Sequence, residues 1–259
     1  MTGLSIKEYV AQEKVRLKEE LERLQGRKKI LNRPVLNIVQ VGDVEASNRY
    51  VRNKIKDAQE IGINAILHKL PETISTYELQ ECVNNLYGPT IVQLPLPKGV
   101  EEPSISPSRD VDGFGPTTKF VPCTPGGIID YLDTIGFEYE GKLAVVIGRS
   151  DIVGKPMAKL LLDKNCTTAV VHSKTPETTK RYLLQAADLV VCAVGKAGVL
   201  DPKECPNAFI VDVGINFDEN GKLVGDVLAS APERTTPVPG GVGLLTRLKL
   251  MKNTLDYYM

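Results

Sequence analysis

The chain has 259 residues, 42% of them hydrophobic and 25% charged, which excludes disorder as its main state and leaves room for two compact domains or one large one. Lys plus Arg and Asp plus Glu each total 32, so a formal charge of zero gives no summed field that favours nucleic acid or an anionic membrane. Small molecules are the expected partners, and with no apolar run of membrane-spanning length and no secretory-signal layout in MTGLSIKEYV, a cytoplasmic location is expected.

In chain order, apolar residues at Ile6, Val10, Val15, Leu17, Leu21 and Leu24 predict an amphipathic helix from Ile6 to Gln25, stopped by Gly26. VLNIVQVG predicts a strand over Val35 to Val41, followed by a helix from Ala46 to Ile61. The alternation repeats with a strand from Asn64 to Lys69, a helix from Thr76 to Leu86 and the apolar strand TIVQLPL, which must stop by Pro95 because proline has no N–H for a ladder. Strand-plus-helix units in series argue for a parallel α/β sheet. The proline-rich stretch 97–125 reads as a long ordered loop and the domain junction. A helix from Gly127 to Ile135 leads into a second series: strand LAVVIG, helix Val153 to Asp163, strand TTAVVH, helix Glu177 to Ala186, and strands DLVVCAVG and AFIVDVGIN. A last helix, about Gly243 to Tyr257, has no strand of its own and is expected to pack back onto the first domain. The expected domains are therefore 1–120, joined by 243–259, and 121–242.

Five cysteines, Cys82, Cys123, Cys166, Cys192 and Cys205, form no CxxC pair, and only His68 and His172 represent histidine, so neither a metal site nor a disulfide framework is expected. GRSDIVG, residues 148–154, stands between a buried strand and a helix. Gly148, Ser150 and Gly154 are spaced more widely than a dinucleotide fingerprint requires, yet the position suits a phosphate-binding turn. An ordinary βα turn is the plainer alternative. At the end of the next strand, where an acidic residue would bind a ribose 2′-hydroxyl, Ser173 and Lys174 stand instead; with Arg149 and Ser150 they suit a 2′-phosphate, so NADP is favoured over NAD.

Tyr50 and Lys54 are four apart on a helix and share a face, and a lysine shielded from water is a candidate proton-transfer group. Gln93 stands at the C-terminal end of the third strand, where ligands dock in open parallel sheets. In RDVDGFG, Asp110 and Asp112 read as turn formers or as anchors for an amide-like heterocycle. PVPGGVG, residues 237–243, reads as a stiff turn whose glycines let a ligand approach the backbone. His172 reads as a strand end rather than a catalytic base.

Taken in order, VGDVEASNRYVRNK, TIVQLPLPKG, DVDGF, PCTPGGI, VIGRSDIVGKPMAKLLL, DVGIN, GKLVGDV and TPVPGGVG resemble the bifunctional methylenetetrahydrofolate dehydrogenase/methenyltetrahydrofolate cyclohydrolase family over nearly the whole chain. The resemblance implies an N-terminal catalytic domain and a Rossmann-like NADP domain, folate bound in the cleft between them, and a homodimer formed through the NADP domain. It implies hydride transfer from 5,10-methylenetetrahydrofolate to NADP and hydrolysis of the methenyl product to 10-formyltetrahydrofolate. By the same resemblance Lys54 is the central proton-transfer residue, Tyr50 stacks on folate, Gln93 tunes Lys54 and Asp112 anchors the pterin. Substrate-lining backbone would come from Val92, Gln93 and Leu94 and from Pro239, Gly240, Gly241, Val242 and Gly243. The cofactor would be lined by Gly148, Arg149, Ser150, Ser173 and Ile215.

Two departures are expected to reshape the site. GPTTKFV is shorter than the family's usual connection after DVDGF, and Leu244, Leu245, Thr246 and Arg247 replace the usual Pro-Met-Thr and apolar helix start, with Thr246 kept. The competing expectations are a monofunctional dehydrogenase, with NAD as its alternative cofactor, and a folate- and nucleotide-binding protein without turnover. A hydroxy-acid dehydrogenase is weaker, since no His and Arg pair is placed for it.

Overall fold

Continuous β-branched runs become the central strands of two parallel sheets, as expected where helices cover both faces. The computed structural model describes residues 3–27 and 32–259. It begins with α1 (Ile6–Gly26), β1 (Val35–Val41), α2 (Glu45–Ile61), β2 (Asn64–Leu70), α3 (Thr76–Asn84) and β3 (Thr90–Val92). There follow α4 (Cys123–Thr134), β4 (Leu143–Ile147), α5 (Gly154–Asp163), β5 (Thr167–Val171), α6 (Glu177–Ala186), β6 (Leu189–Cys192) and β7 (Phe209–Asp212). A short antiparallel ribbon, β8 (Asn216–Phe217) with β9 (Leu223–Val224), precedes α7 (Val242–Tyr258).

The chain divides into two compact units, one of Ala11–Cys123 with Arg247–Met259, the other of Met1–Val10 with Thr124–Thr246. In the first, the strand order is β2-β1-β3, all parallel, with Ile38 opposite Leu67 on one side and Ile91 on the other. Its core joins Val39, Val41, Leu79, Val83 and Val92. In the second, the order is β5-β4-β6-β7, again parallel, and Val145, Ile147, Val190, Cys192 and Ile210 centre its core. Each such side chain removed from water contributes roughly 1.5–3 kcal/mol, whereas an exposed pair such as Lys159–Asp163 contributes about 0.5 kcal/mol or less. Burial of the strands, not surface charge, holds each unit together by itself.

Both orders reverse direction beside a central strand, at β1/β3 in one unit and β4/β6 in the other. A crevice opens outside the carboxyl ends of strands at such a point. Among the described residues no helix is long and apolar enough to cross a membrane.

Several boundaries differ from the sequence expectation. The strand expected to run towards Pro95 ends at Val92, and the Leu94–Pro95 bond is cis. The helix expected to reach Leu86 ends at Asn84, since the asparagines 84 and 85 favour turns over helix. The helix expected from Gly127 begins at Cys123 instead, because Pro125 falls in the first turn, where no N–H is needed. The strands after α6 are shorter than the apolar runs DLVVCAVG and AFIVDVGIN.

Candidate functional site

In the first unit, β1 delivers the chain into α2, and buried Gln40 donates to Asn48 Oδ1 at 2.7 Å. Asn48 in turn donates to Asp43 at 2.8 Å, so the first turn of α2 is fixed to the end of its strand. Two turns on, Lys54 projects to Gln93. Its Nζ donates to Gln93 Oε1 at 3.0 Å, while Gln93 Nε2 donates to Leu94 O at 2.6 Å. With its N–H bonded to Val39 O at 2.8 Å, Gln93 is held at backbone and side chain alike. Because its amide nitrogen is committed to Leu94, only the oxygen faces the lysine. Tyr50, one turn before Lys54, is half-buried, and burial raises its phenol above the ordinary value.

Asp110 and Asp112 separate cleanly. The Asp110 carboxylate accepts from Gly113 N at 3.1 Å and Gly115 N at 2.7 Å, closing the turn that DVDGFG encodes. Asp112 points elsewhere and is 8% exposed. Burial pushes its carboxyl above the usual range; Lys54 opposes this, Asp110 adds to it and a hydrogen bond with Cys123 opposes it. Lys54, Gln93 and Asp112 therefore form one electrostatic group. Asn253 of α7 donates to Val111 O and Val121 O, both at 2.9 Å, and so clamps both ends of the short connection that carries Asp112. Arg247, at one of the departures from the family pattern, pairs through Nε with Asp57 of α2 at 3.2 Å. Lys14 holds the same carboxylate, so this replacement packs α7 to α2 one turn beyond Lys54.

In the second unit, a cavity of about 500 Å³ opens at the carboxyl ends of β4, β5 and β6. Gly148, Arg149, Ser150 and Ser173 line it. Gly148 has φ +117°, and a Cβ there would run into Ala193 O, so only glycine makes this turn. Ser150 Oγ accepts from Val153 N and Gly154 N, each at 3.2 Å, and so caps the start of α5. Ile215 is 44% exposed and is not among the residues lining the cavity.

His172, Thr175, Lys180 and Lys196 also line it, and sequence reasoning had not chosen them. His172, Thr175 and Lys196 stand just beyond β5 and β6, and Lys180 stands on α6, the helix that follows β5. His172 Nδ1 accepts from Lys174 N at 3.2 Å, which fixes the ring at the strand end. With Arg149, Lys180 and Lys196 against Glu177, the walls are cationic on balance, which fits a phosphorylated ligand.

Pro239, Gly240, Gly241, Val242 and Gly243 lie in the same unit as this cavity. The Val238–Pro239 bond is cis, and Val242 and Gly243 open α7. Thr246 hydrogen-bonds Thr124 through their hydroxyls at 3.0 Å. A larger cavity, about 610 Å³, lies by Gly3–Lys7 and the start of β7 and touches only Gly240 of the candidate residues. Chemistry rather than volume therefore points to the strand ends.

A comparison with known proteins decides the family. The profile "Tetrahydrofolate dehydrogenase/cyclohydrolase, catalytic domain" matches residues 4–112, and "Tetrahydrofolate dehydrogenase/cyclohydrolase, NAD(P)-binding domain" matches residues 122–259. The chain belongs to the tetrahydrofolate dehydrogenase/cyclohydrolase family. The Bifunctional protein FolD of Listeria innocua is 44% identical over 247 residues, covering 86% of each chain. The FolD methylenetetrahydrofolate dehydrogenase/cyclohydrolase of Campylobacter jejuni superposes with a TM-score of 0.90 at 36% identity, covering 98% of this chain and 97% of that one. The Trypanosoma brucei enzyme, solved with NADP cofactor and inhibitor, gives a TM-score of 0.90 at 32% identity, covering 99% and 97%. The short connection 113–121 falls between the two matched stretches.

Proposed function

We propose that this family member oxidises 5,10-methylenetetrahydrofolate with NADP and hydrolyses the methenyl product to 10-formyltetrahydrofolate. The observation that carries the reading is the Lys54–Gln93 hydrogen bond at the end of β3, beside buried Asp112. A hydrolytic step needs a group that takes a proton from water and returns one to the opening ring. Lys54 is that group in this reading, and Gln93 holds its Nζ through an amide oxygen that can only accept. Asp112, which burial makes reluctant to ionise, hydrogen-bonds the polar edge of the pterin. Tyr50 offers its ring for stacking, and the backbone of Val92 and Leu94 offers hydrogen-bond partners beside Gln93.

NADP fits the second unit's cavity. Gly148 lets the chain turn tightly against Ala193 at the end of β4, and the end of β5 carries Ser173 and Lys174 where an acid would repel a 2′-phosphate. Arg149, Ser150, Ser173 and Lys180 would hold the phosphates, with Ile215 beside the ring. When bound, the cofactor supplies the hydride acceptor; the protein supplies position. The homodimer implied by the resemblance and the cytoplasmic location expected from the sequence belong to the same proposal.

The test mixes purified protein with 5,10-methylenetetrahydrofolate and either NADP or NAD, following reduced nucleotide and methenyl absorbance together. NADPH should appear without methenyl build-up, NAD should be the poorer acceptor, and Lys54→Gln should lose hydrolysis of supplied methenyltetrahydrofolate by roughly 100-fold or more. Methenyl accumulation in wild type would mean a dehydrogenase alone. Binding of folate without reduction of either nucleotide would mean a protein without turnover.

A further inference from the structure

Two motifs of this sequence, DVGIN (residues 212–216) and VGDV (residues 224–227), contribute no side chain to the groups discussed above except Ile215. Yet they hold two fully interior carboxylates: Asp212 is 3% exposed and Asp226 0%. Among the described residues neither pairs with a cation. Each instead collects N–H donors. Asp226 Oδ2 accepts from Val194 N at 2.7 Å and Gly195 N at 2.9 Å, while Oδ1 accepts from Lys196 N and from Asn216 Nδ2, both at 2.9 Å. Consecutive backbone N–H groups converging on one anion form a nest of the kind that elsewhere holds a phosphate. Here the protein fills its own nest.

Asp226 also fastens the far end of that loop, because its carbonyl accepts from Val199 N at 2.8 Å. Asp212 then fixes Asp226, accepting from Asp226 N at 2.9 Å and Val227 N at 3.1 Å. Two glycines make this possible. A Cβ at Gly214 would collide with the Asp226 carboxylate, and one at Gly225 with that of Asp212. The β8–β9 ribbon, in which Asn216 pairs with Val224, brings the two motifs together.

The segment so fastened is a wall of the nucleotide cavity, since Val194, Lys196 and Val199 all line it. The remaining donor, Asn216, follows Ile215 directly. We infer that Asp226 is the positioning residue of the nucleotide site: one buried carboxylate fixes both the Val194–Val199 wall and the Ile215–Asn216 segment, and Asp212 holds it in place. This rests on the dehydrogenase reading above. Asp226 touches no substrate in this account and acts only through the main chain and Asn216.

The family's two reactions give an internal control, because hydrolysis of supplied 5,10-methenyltetrahydrofolate consumes no nucleotide. In full-length Asp226→Asn, the isosteric amide keeps the volume but turns an NH2 towards N–H donors. NADP affinity by calorimetric titration should fall about tenfold or more, and the KM for NADP should rise to match, because a wall displaced by about 1 Å costs on that scale. Methenyl hydrolysis should stay within about twofold of wild type. The inference is overturned if NADP affinity stays within that range, or if nucleotide binding and hydrolysis fall in parallel. Should Asp226→Asn not fold, Asn216→Leu decides: a severalfold loss of NADP affinity with intact hydrolysis supports the inference, and no loss overturns it. Wild type that binds NADP without reducing it would overturn the dehydrogenase reading, while the affinity ratio still judges Asp226.

Discussion

Asp110 and Asp112 are two positions apart and have opposite chemistry. Asp110 spends its oxygens on Gly113 N and Gly115 N, whereas Asp112 is buried beside Lys54 with its carboxyl raised. A raised carboxyl in the native state means that, as pH rises through the ordinary carboxylate range, the unfolded chain releases this proton first. Stability therefore falls across that window and stays reduced above it. Asp112→Asn removes the ionisation, so it should raise Tm at pH 7 by about 2–4 °C, equivalent to roughly 1 kcal/mol. The difference should vanish below the carboxylate range, and folate affinity should drop; thermal melts at both pH values and a folate titration check this. A variant less stable than wild type at pH 7 would contradict it. The sequence alone read both aspartates as turn formers or anchors, because the motif's spelling is the same for either role. Which carboxylate finds backbone donors is decided by three-dimensional closure, here by Asn253 from far along the chain.

At the scale of elements, existence and order were legible, and so were the ends of β1 and α6, but not those of β3, α3 and α4. The central strands β1, β4 and β6 announce themselves as β-branched runs, and α6 runs from Glu177 to Ala186 as its pattern implies. The ends fail where a tertiary contact overrides the pattern. Cys123 N bonds to Asp112 O at 3.1 Å, giving α4 a start that no local capping signal marks. The GRSDIVG turn shows the reverse case, in which an imperfect motif keeps its physical role. Its spacing departs from the fingerprint, but Gly148 still occupies the left-handed region against Ala193 O and Ser150 still caps α5. Gly148→Ala should therefore cost about 2 kcal/mol or more of stability and abolish NADP reduction. Chemical denaturation paired with the dehydrogenase assay reads both, and a variant with normal stability and normal KM for NADP would show that the turn tolerates a side chain.

For the whole molecule, the sheet edges bear on the homodimer proposed above. The outer side of β7 is covered, since Ile210 pairs with Thr235, whereas among the described residues β5 has a strand partner only in β4. An uncovered edge strand is a template for pairing with another chain, and nature blunts it with charge or proline when it must stay single. β5, TTAVV, has neither. Val170 is 39% exposed there, with Leu162 of α5 at 63% and Tyr182 of α6 at 69%. Zero formal charge adds no repulsion between copies. The expected outcome is a homodimer formed through the β5 edge of the nucleotide-binding unit. Sedimentation equilibrium at micromolar concentration should give twice the chain mass, and Val170→Lys should shift the distribution towards monomer. Alternation along the strand separates Val170 from Val171, which lines the nucleotide cavity, so NADP affinity should be unchanged in that variant. A wild type that sediments as a monomer throughout removes the dimer, and a Val170→Lys protein that remains dimeric moves the contact away from β5.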